Sequence, residues 1–309
     1  MDAIITNHLS KLEFGDIQTF KNMAILPLFL PKNGGPNYLT LKEALAKDFV
    51  TITEVDQAGS VPDLKITNES GQPVLLLDGE EIIGAKQNRV LSTSILLKDH
   101  SETTIPVSCT ERGRWHYTSE RFSHSDVIMS HKARYMQQAS VYDSLHKGRG
   151  HRSDQGRVWF DIEEMHEKTA TTSPTRAMKD VYAAKDKDLQ GYLQTFASVP
   201  HQQGCLVFIN GKIVGLDVVS DHAAYETVHA QFVKSYAMEA LLEKDDEAEA
   251  GPVDKAETFL QEAQRTQESR FEAVGQGHDY RFEGENVMGS ALVHDGHVIH
   301  LAFFKNRAD

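Results

Sequence analysis

Three turn dipeptides between apolar, β-prone runs constrain the fold of this chain more than any other feature of its sequence. Asp78-Gly79, Asn210-Gly211 and Asp295-Gly296 each separate two such runs. These are preferred pairs for a two-residue hairpin loop, because a type I′ turn requires positive φ at both central residues. We therefore expect three hairpins and an extensive antiparallel sheet system built from them.

Helical patterns occupy other parts of the chain. Apolar residues recur at helical intervals through about 125–196, which predicts a helical insertion that starts near Ser125. Thr40 and Glu43 match a capping box at the start of a short helix. Asp221 or Ser220 can cap a helix with one apolar stripe, consisting of Tyr225, Val228, Phe232 and Tyr236. A further amphipathic helix starts near Asp254.

Together these patterns predict the α+β class: a mainly antiparallel sheet system built from three hairpins, with a helical insertion and packed C-terminal helices. We expect residues 1–309 to form a single domain with the insertion at about 125–196, and a division into two domains is the alternative. Residues 33–36 are expected to form a loop, and the acidic residues 242–252 a helix end and linker.

Composition excludes several classes of function. A net charge of −13 argues against nucleic acid as a partner, because non-specific binding depends on clustered Lys and Arg. No apolar stretch approaches the roughly 20 residues of a membrane-spanning helix, and no signal segment is evident, so we expect a cytoplasmic protein without a membrane partner. Two cysteines and the absence of an HExxH spacing predict free thiols and no metal site. The sequence identifies neither a cofactor nor an oligomeric state.

A dense polar segment follows the first turn and is the first candidate site. It contains Glu80, Glu81, Lys86, Gln87, Asn88 and Arg89. Charged residues of both signs are costly to bury unless they satisfy one another or a ligand. Strand alternation predicts that Glu81, Gln87 and Arg89 share one face, whereas Glu80, Lys86 and Asn88 share the other. Exposed ion pairs on a hairpin are the alternative interpretation.

Two further groups of residues complete the candidate set. Glu111, Arg114 and Trp115 end a strand, where the arginine can pair with a phosphate or carboxylate and the tryptophan can stack on a base. Packing of the arginine on the tryptophan is the alternative. Cys109 within that strand is expected to be buried and inert.

His300 lies in an apolar strand near the C-terminus and needs a hydrogen-bond partner there. It is either a satisfied core histidine or a catalytic one, and Asp217 and Tyr236 are candidates to converge with it.

The chain resembles the family described as the ARG and rhodanese-phosphatase-superfamily-associated protein domain. The resemblance rests on four stretches taken in order: GEEIIGAKQNRVLSTSIL, IPVSCTERGRWHY, NGKIVGLD with KSYAMEALL, and GSALVHDGHVIHLAFF. The first two are the more specific. The resemblance implies a setting in nucleotide, ADP-ribose or phosphate metabolism, without a settled activity or known catalytic residues.

Two hypotheses of function follow. In the first, the protein binds and processes a phosphorylated nucleotide-like or ADP-ribose-like small molecule, with Glu80 or Glu81 as acid/base and Lys86, Arg89 and Arg114 as an anion clamp. His300 is a further catalytic candidate. In the second, the same residues form a non-catalytic ligand-sensing or scaffold module. The sequence does not decide whether the protein is an enzyme.

Overall fold

The computed structural model describes residues 1–31, 35–243 and 253–305. Residues 33–34 of the expected loop and residues 244–252 of the expected linker therefore lie outside the described residues. Contacts within the chain define two compact units. Unit 1 consists of Met1–Asn37, Leu189–Ala273 and Gly277–Asp309, and unit 2 consists of Tyr38–Asp188 and Val274–Gln276. The single-domain organisation stays a prediction, because this division does not say whether either unit folds alone.

The elements alternate between helices and many short strands. The helices are α1 (Ala3–Ser10), α2 (Leu41–Ala46), α3 (His131–His146), α4 (Gln155–Thr169), α5 (Met178–Ala184), α6 (Asp186–Thr195), α7 (His222–Leu242) and α8 (Val253–Gln264). The strands of the first half are β1 (Glu13–Phe14), β2 (Gln18–Phe20), β3 (Met23–Phe29), β4 (Leu39–Thr40), β5 (Val50–Glu54), β6 (Asp63–Asn68), β7 (Val74–Leu76), β8 (Glu80–Gly84), β9 (Arg89–Leu91), β10 (Ile95–Leu97), β11 (Ser101–Cys109) and β12 (Phe122–Ile128). The strands of the second half are β13 (Gly204–Ile209), β14 (Lys212–Val219), β15 (Gln267–Glu272), β16 (His278–Glu283), β17 (Val287–His294) and β18 (His297–Lys305). The α+β prediction is confirmed.

Unit 1 is built on an antiparallel sheet with the strand order β1-β3-β13-β14-β18-β17-β16-β15, and β2 also pairs with β3. Two of the predicted hairpins lie here, β13–β14 and β17–β18. All four turn residues, Asn210-Gly211 and Asp295-Gly296, have positive φ between 47° and 75°. Both hairpin predictions are confirmed.

Helices cover both faces of this sheet. Phe259 and Ala263 of α8 and Ile5 of α1 share a core with one face, which includes Leu216 and Leu301. The alternate residues of the sheet face α7, whose predicted stripe is buried. Asp221 caps α7 by accepting a hydrogen bond from the backbone N–H of Ala224, as the sequence predicts.

Unit 2 contains two smaller sheets. One has the order β12-β8-β9-β11-β6-β5 and is antiparallel, and the other has the order β10-β7-β4, in which only β4 and β7 run parallel. Alternate apolar residues of β5 and β6, such as Ile52 and Ile66, point into its core. The predicted capping box at Thr40 and Glu43 is present at α2.

The helical insertion begins later than predicted. Residues 122–128 form strand β12, which pairs with the edge of β8, and α3 starts only after its N-cap, Ser130. The apolar residues here have helical spacing, but pairing with β8 holds the segment in a strand. Helices α3 to α6 then follow one another through Thr195.

Candidate functional site

Asp78 and Gly79 do not form the predicted hairpin. Strand β7 pairs with β10 and β4, whereas β8 pairs with β9 and β12, so the two apolar runs lie in different sheets. Gly79 has φ of 79°, but Asp78 is not among the residues with positive φ that a type I′ turn requires. A Cβ at Gly79 would lie 2.8 Å from Cγ of Arg134, so glycine also makes room for that side chain.

Asp78 instead anchors α3 through a buried ion pair. Its carboxylate lies 3.3 Å from Nη2 of Arg134 and accepts hydrogen bonds from Ser94 and Gln138. The side chains of Asp78 and Arg134 are 1% and 0% exposed. A buried charge is stable only when it is paired and hydrogen-bonded, and this one is both.

The hairpin that does form joins β8 to β9, and Lys86, Gln87 and Asn88 lie in its loop. Its register pairs Glu81 with Val90 and Ile82 with Arg89. Paired residues share a face of the sheet, so Glu81 and Arg89 point to opposite faces. The prediction that they share one face is wrong. It counted the strand alternation straight through residues 85–88, which form a loop and do not follow it.

Glu81 is fully buried and only partly satisfied. Thr110 donates a hydrogen bond of 2.6 Å to its Oε1, while Oε2 has no hydrogen-bond partner among the described residues. Burial raises the pKa of Glu81 to about 7, although the hydroxyls of Thr110 and Ser125 and the charge of Lys179 oppose the rise. A carboxyl group in this setting is protonated for part of the time at neutral pH.

The raised pKa of Glu81 makes stability depend on pH. The carboxyl has a pKa near 4.5 when unfolded and about 7 when folded, so its stabilising contribution is complete below 4.5 and is lost as pH rises through 7. Each pKa unit corresponds to about 1.4 kcal/mol, so the loss is roughly 3 kcal/mol. We expect Glu81→Gln, which mimics the protonated form, to flatten this fall in urea unfolding between pH 5 and 8. Glu102→Gln, at a carboxyl that is 59% exposed, is the control, and an equal slope in wild type and Glu81→Gln would contradict the expectation.

Glu80 is buried, and both of its carboxylate oxygens have hydrogen-bond partners within the protein. Its Oε1 lies 2.7 Å from Nε2 of His124, and its Oε2 accepts a hydrogen bond from the backbone N–H of Leu77. Burial would lower the pKa of His124, but the charge and hydrogen bond of Glu80, together with Asp126, raise it above its usual value. Glu80 therefore makes a charge-assisted pair with the imidazole.

Arg89 offers the most distinctive feature of this region. Its side chain is 0% exposed, and its Nη1 donates to the backbone and side-chain oxygens of Gln87, at 3.1 Å each. Nε and Nη2 have no hydrogen-bond partner among the described residues. Nη2 lies 3.7 Å from Oε1 of Glu54, whose Oε2 is also buried and has no hydrogen-bond partner in the part of the chain that the structure describes. Nε and Nη2 form one edge of the guanidinium, the edge that binds phosphate or carboxylate in a bidentate manner.

Aromatic rings and a second cation surround this arginine. The Trp115 ring centroid lies 5.5 Å from the guanidinium carbon of Arg89. Nζ of Lys86 lies 5.5 Å from the same ring and 5.1 Å from that of Tyr117, and it donates to the carbonyls of Gln57 and Ala58. Trp115 and Tyr117 are 47% and 48% exposed, so two large rings lie side by side at the surface around Lys86. We call Glu54, Lys86, Arg89, Trp115 and Tyr117 the Arg89 site.

Arg114 is engaged differently from Arg89. Its nitrogens donate to the carboxylate of Glu111, the carbonyls of Gly84, Ala85 and His116, and the side chains of Asn88 and Thr118. Burial would raise the pKa of Glu111, but Arg114 and Thr175 lower it below its usual value. Gln87 also bonds the carbonyl of Glu111. Hydrogen bonds from Arg114 therefore connect the β8–β9 loop to the residues that follow β11.

Cys109 lies beside Arg89 in the sheet and carries a free, buried thiol. Burial raises the pKa of this thiol to about 11, and the charge of Arg89 only partly opposes the rise. The burial predicted from the sequence is confirmed. The thiolate is the reactive form, so we expect Cys109 to be inert at neutral pH.

The structure brings Asp217, Tyr236 and His300 together in unit 1. Asp217 is fully buried on the sheet face that α7 covers, and it accepts a 2.8 Å hydrogen bond from the Tyr236 hydroxyl. Nε2 of His300 lies 3.4 Å from its other oxygen. A Cβ on Gly215 would come within 3.2 Å of the Tyr236 hydroxyl, so glycine leaves space for this contact. These three residues form a satisfied buried network.

Sequence reasoning missed Glu54 and Tyr117. Glu54 continues the alternation of Val50 and Ile52, which predicts the buried face of β5, and a carboxylate on that face is a signal of a buried partner. Tyr117 follows Trp115 at a spacing of two, but no local pattern indicates that both rings flank Lys86.

The described residues contain no group of three or more His, Cys, Asp or Glu that could hold a metal ion. No helix among them is both long and apolar enough to cross a membrane. The fold and the site thus define an α+β protein with antiparallel sheets and a buried arginine beside exposed aromatic rings. The family model of the ARG and Rhodanese-Phosphatase-superfamily-associated Protein domain matches residues 11–304, and the chain belongs to this family. No curated protein and no solved structure matches it.

Proposed function

We propose that unit 2 binds a phosphorylated nucleotide-like or ADP-ribose-like small molecule at the Arg89 site. The observation that carries the proposal is the edge of Arg89 formed by Nε and Nη2, which is buried without a hydrogen-bond partner among the described residues. A buried donor left unsatisfied costs about 1 to 3 kcal/mol, so this edge is expected to have a partner in the working state. A phosphate supplies two oxygens at the spacing of the two donors.

The aromatic rings of the Arg89 site are suited to the base, or another planar ring, of such a ligand. Trp115 and Tyr117 are about half exposed and lie next to Lys86 and Arg89. A base or another planar ring can stack on an exposed aromatic ring. Arg89 itself is fully buried beneath Trp115. We therefore infer that the indole turns aside when the anion binds, so that the same ring first covers the arginine and then contacts the ligand.

The arrangement of the carboxylates favours sensing over processing. Glu81 has the pKa of an acid/base group but lies on the face opposite Arg89, and Glu80 is held by His124 and Leu77. Glu54 is the carboxylate that shares the Arg89 site. A non-catalytic ligand-sensing module is therefore the form of the proposal that the contacts support best, and Glu54 is the candidate base if turnover is found.

The proposed setting is nucleotide, ADP-ribose or phosphate metabolism in the cytoplasm. A net charge of −13 favours a small ligand over nucleic acid, because a long polyanion would meet repulsion beyond the site.

Thermal unfolding with added ligands tests the proposal. We expect ADP-ribose, or a nucleotide or sugar phosphate from the same panel, to raise the Tm of the wild type, because a ligand that binds the folded state stabilises it. Arg89→Lys keeps a positive charge near Glu54 but removes the two-donor edge, so it should weaken binding by about 10- to 100-fold. Arg121→Lys is the matched control on an exposed arginine. A panel without any stabilising ligand, or an equal response in Arg89→Lys, would contradict the proposal.

A further inference from the structure

A cavity of about 520 Å³ lies within unit 1, and the residues that line it all belong to that unit. Its walls come from α1, the end of β3, the residues before β13, the start of α7 and the β17–β18 turn. The volume lies within the range of roughly 300 to 1,000 Å³ that is typical of small-molecule sites.

Four histidines line this cavity, namely His8, His201, His222 and His297. The rings of His201 and His222 meet edge to face, with centroids 5.4 Å apart. No three potential ligands come together in a metal-binding arrangement anywhere in the described part of the chain. An imidazole can act as a hydrogen-bonding and stacking group toward an organic molecule.

His8 gives the cavity an unsatisfied polar group. Its Nε2 is buried and has no hydrogen-bond partner within the described residues. Burial, with a smaller contribution from the charge of Lys11, lowers the pKa of His8 to about 4. The imidazole is thus neutral at physiological pH. Because Nε2 is closed to solvent in this conformation, a hydrogen bond from Nε2 to a bound molecule requires the ring to turn toward the cavity.

The lining contains one lysine and one carboxylate, and the lysine is the group with which an anion would pair. Lys11 lines the wall one helical turn after His8, and its ammonium group makes no ion pair with any described residue. Asp221, the acidic residue of the lining, already accepts the capping hydrogen bond from Ala224. Ile4, Phe29 and Val298 supply apolar surface.

We propose that this cavity binds a small organic anion with an apolar body. The anionic group pairs with Lys11, a polar atom of the ligand bonds Nε2 of His8, and the body packs on the apolar wall. The site is separate from the Arg89 site, and neither proposal depends on the other.

The fluorescent anion 1-anilinonaphthalene-8-sulfonate is a suitable probe, because it joins a sulfonate to an apolar ring system. We expect one saturable site in the full chain, with a Kd that rises about 5-fold or more in Lys11→Gln and in His8→Leu. Lys212→Gln, at an exposed lysine elsewhere in unit 1, should leave the Kd unchanged. Circular dichroism of each variant checks that the fold is intact. Lys11→Gln alters only an exposed side chain, so this variant alone tests the proposal if His8→Leu fails to fold. Absence of saturable binding, or a Kd in Lys11→Gln equal to that of the wild type, would overturn the proposal.

Discussion

Replacing Asp78 by alanine is expected to lower the free energy of unfolding by about 3 to 5 kcal/mol, because it leaves a buried guanidinium without its carboxylate. Arg134 is 0% exposed and the side chain of Asp78 is 1% exposed. Ser94 and Gln138 lose an acceptor in the same substitution. The expected loss is a large fraction of the stability of an ordinary domain, so part of the population should unfold at moderate temperature.

Urea unfolding of Asp78→Ala and Asp143→Ala measures this effect. Asp143 pairs with Lys147 on the exposed side of α3, where the two side chains are 69% and 57% exposed. Pairs of that kind contribute about 0.5 kcal/mol or less, so the control should unfold close to the wild type. Similar unfolding midpoints for the two variants would mean that Asp78 does not anchor α3.

The second large effect is expected at Arg114. Arg114→Ala removes donors to three backbone carbonyls and leaves the buried Glu111 carboxylate without its cation. We expect a loss of about 3 kcal/mol or more, because hydrogen bonds to charged groups contribute about 1.5 to 3 kcal/mol each and are only partly additive. Differential scanning calorimetry, with the exposed Arg121→Ala as control in the same loop, gives the comparison.

The same pair of variants separates a structural role of Arg114 from the anion clamp that the sequence suggested. If Arg114 has a structural role, Arg114→Ala should have a low Tm. Its ligand binding should then weaken only to the extent that the β8–β9 loop unfolds. If Arg114→Ala unfolds like Arg121→Ala and yet fails to respond to ADP-ribose, Arg114 contacts the ligand instead.

Local signals in the sequence predicted local structure well. The turns at Asn210-Gly211 and Asp295-Gly296 and the cap at Asp221 depend on residues within a few positions of one another. Such features are set by backbone sterics and short-range hydrogen bonds, which the residue types report directly. The prediction that Asp217, Tyr236 and His300 could converge also relied on one helical stripe and two strand positions, and the structure brings them together.

Long-range pairing accounts for the differences. Asp78-Gly79 has the composition of a hairpin turn, but β7 pairs with β4 and β10 instead of β8. No local pattern in the sequence indicates this pairing. The faces of Glu81 and Arg89 depend on the length of the loop between them, since each unpaired loop residue shifts the alternation. The proximity of Glu54 to Arg89 likewise arises from tertiary structure.

The most direct test of the Arg89 site is the emission of Trp115 during a titration with ADP-ribose. Trp159 is the only other tryptophan, so the Trp159→Phe protein reports on Trp115 alone. We predict a saturable change in emission, because the ring leaves the guanidinium of Arg89 and contacts the ligand, and a Kd at least about 10-fold higher when Arg89→Lys is added. An emission that does not change with ADP-ribose, or the same Kd with lysine at position 89, would contradict the account.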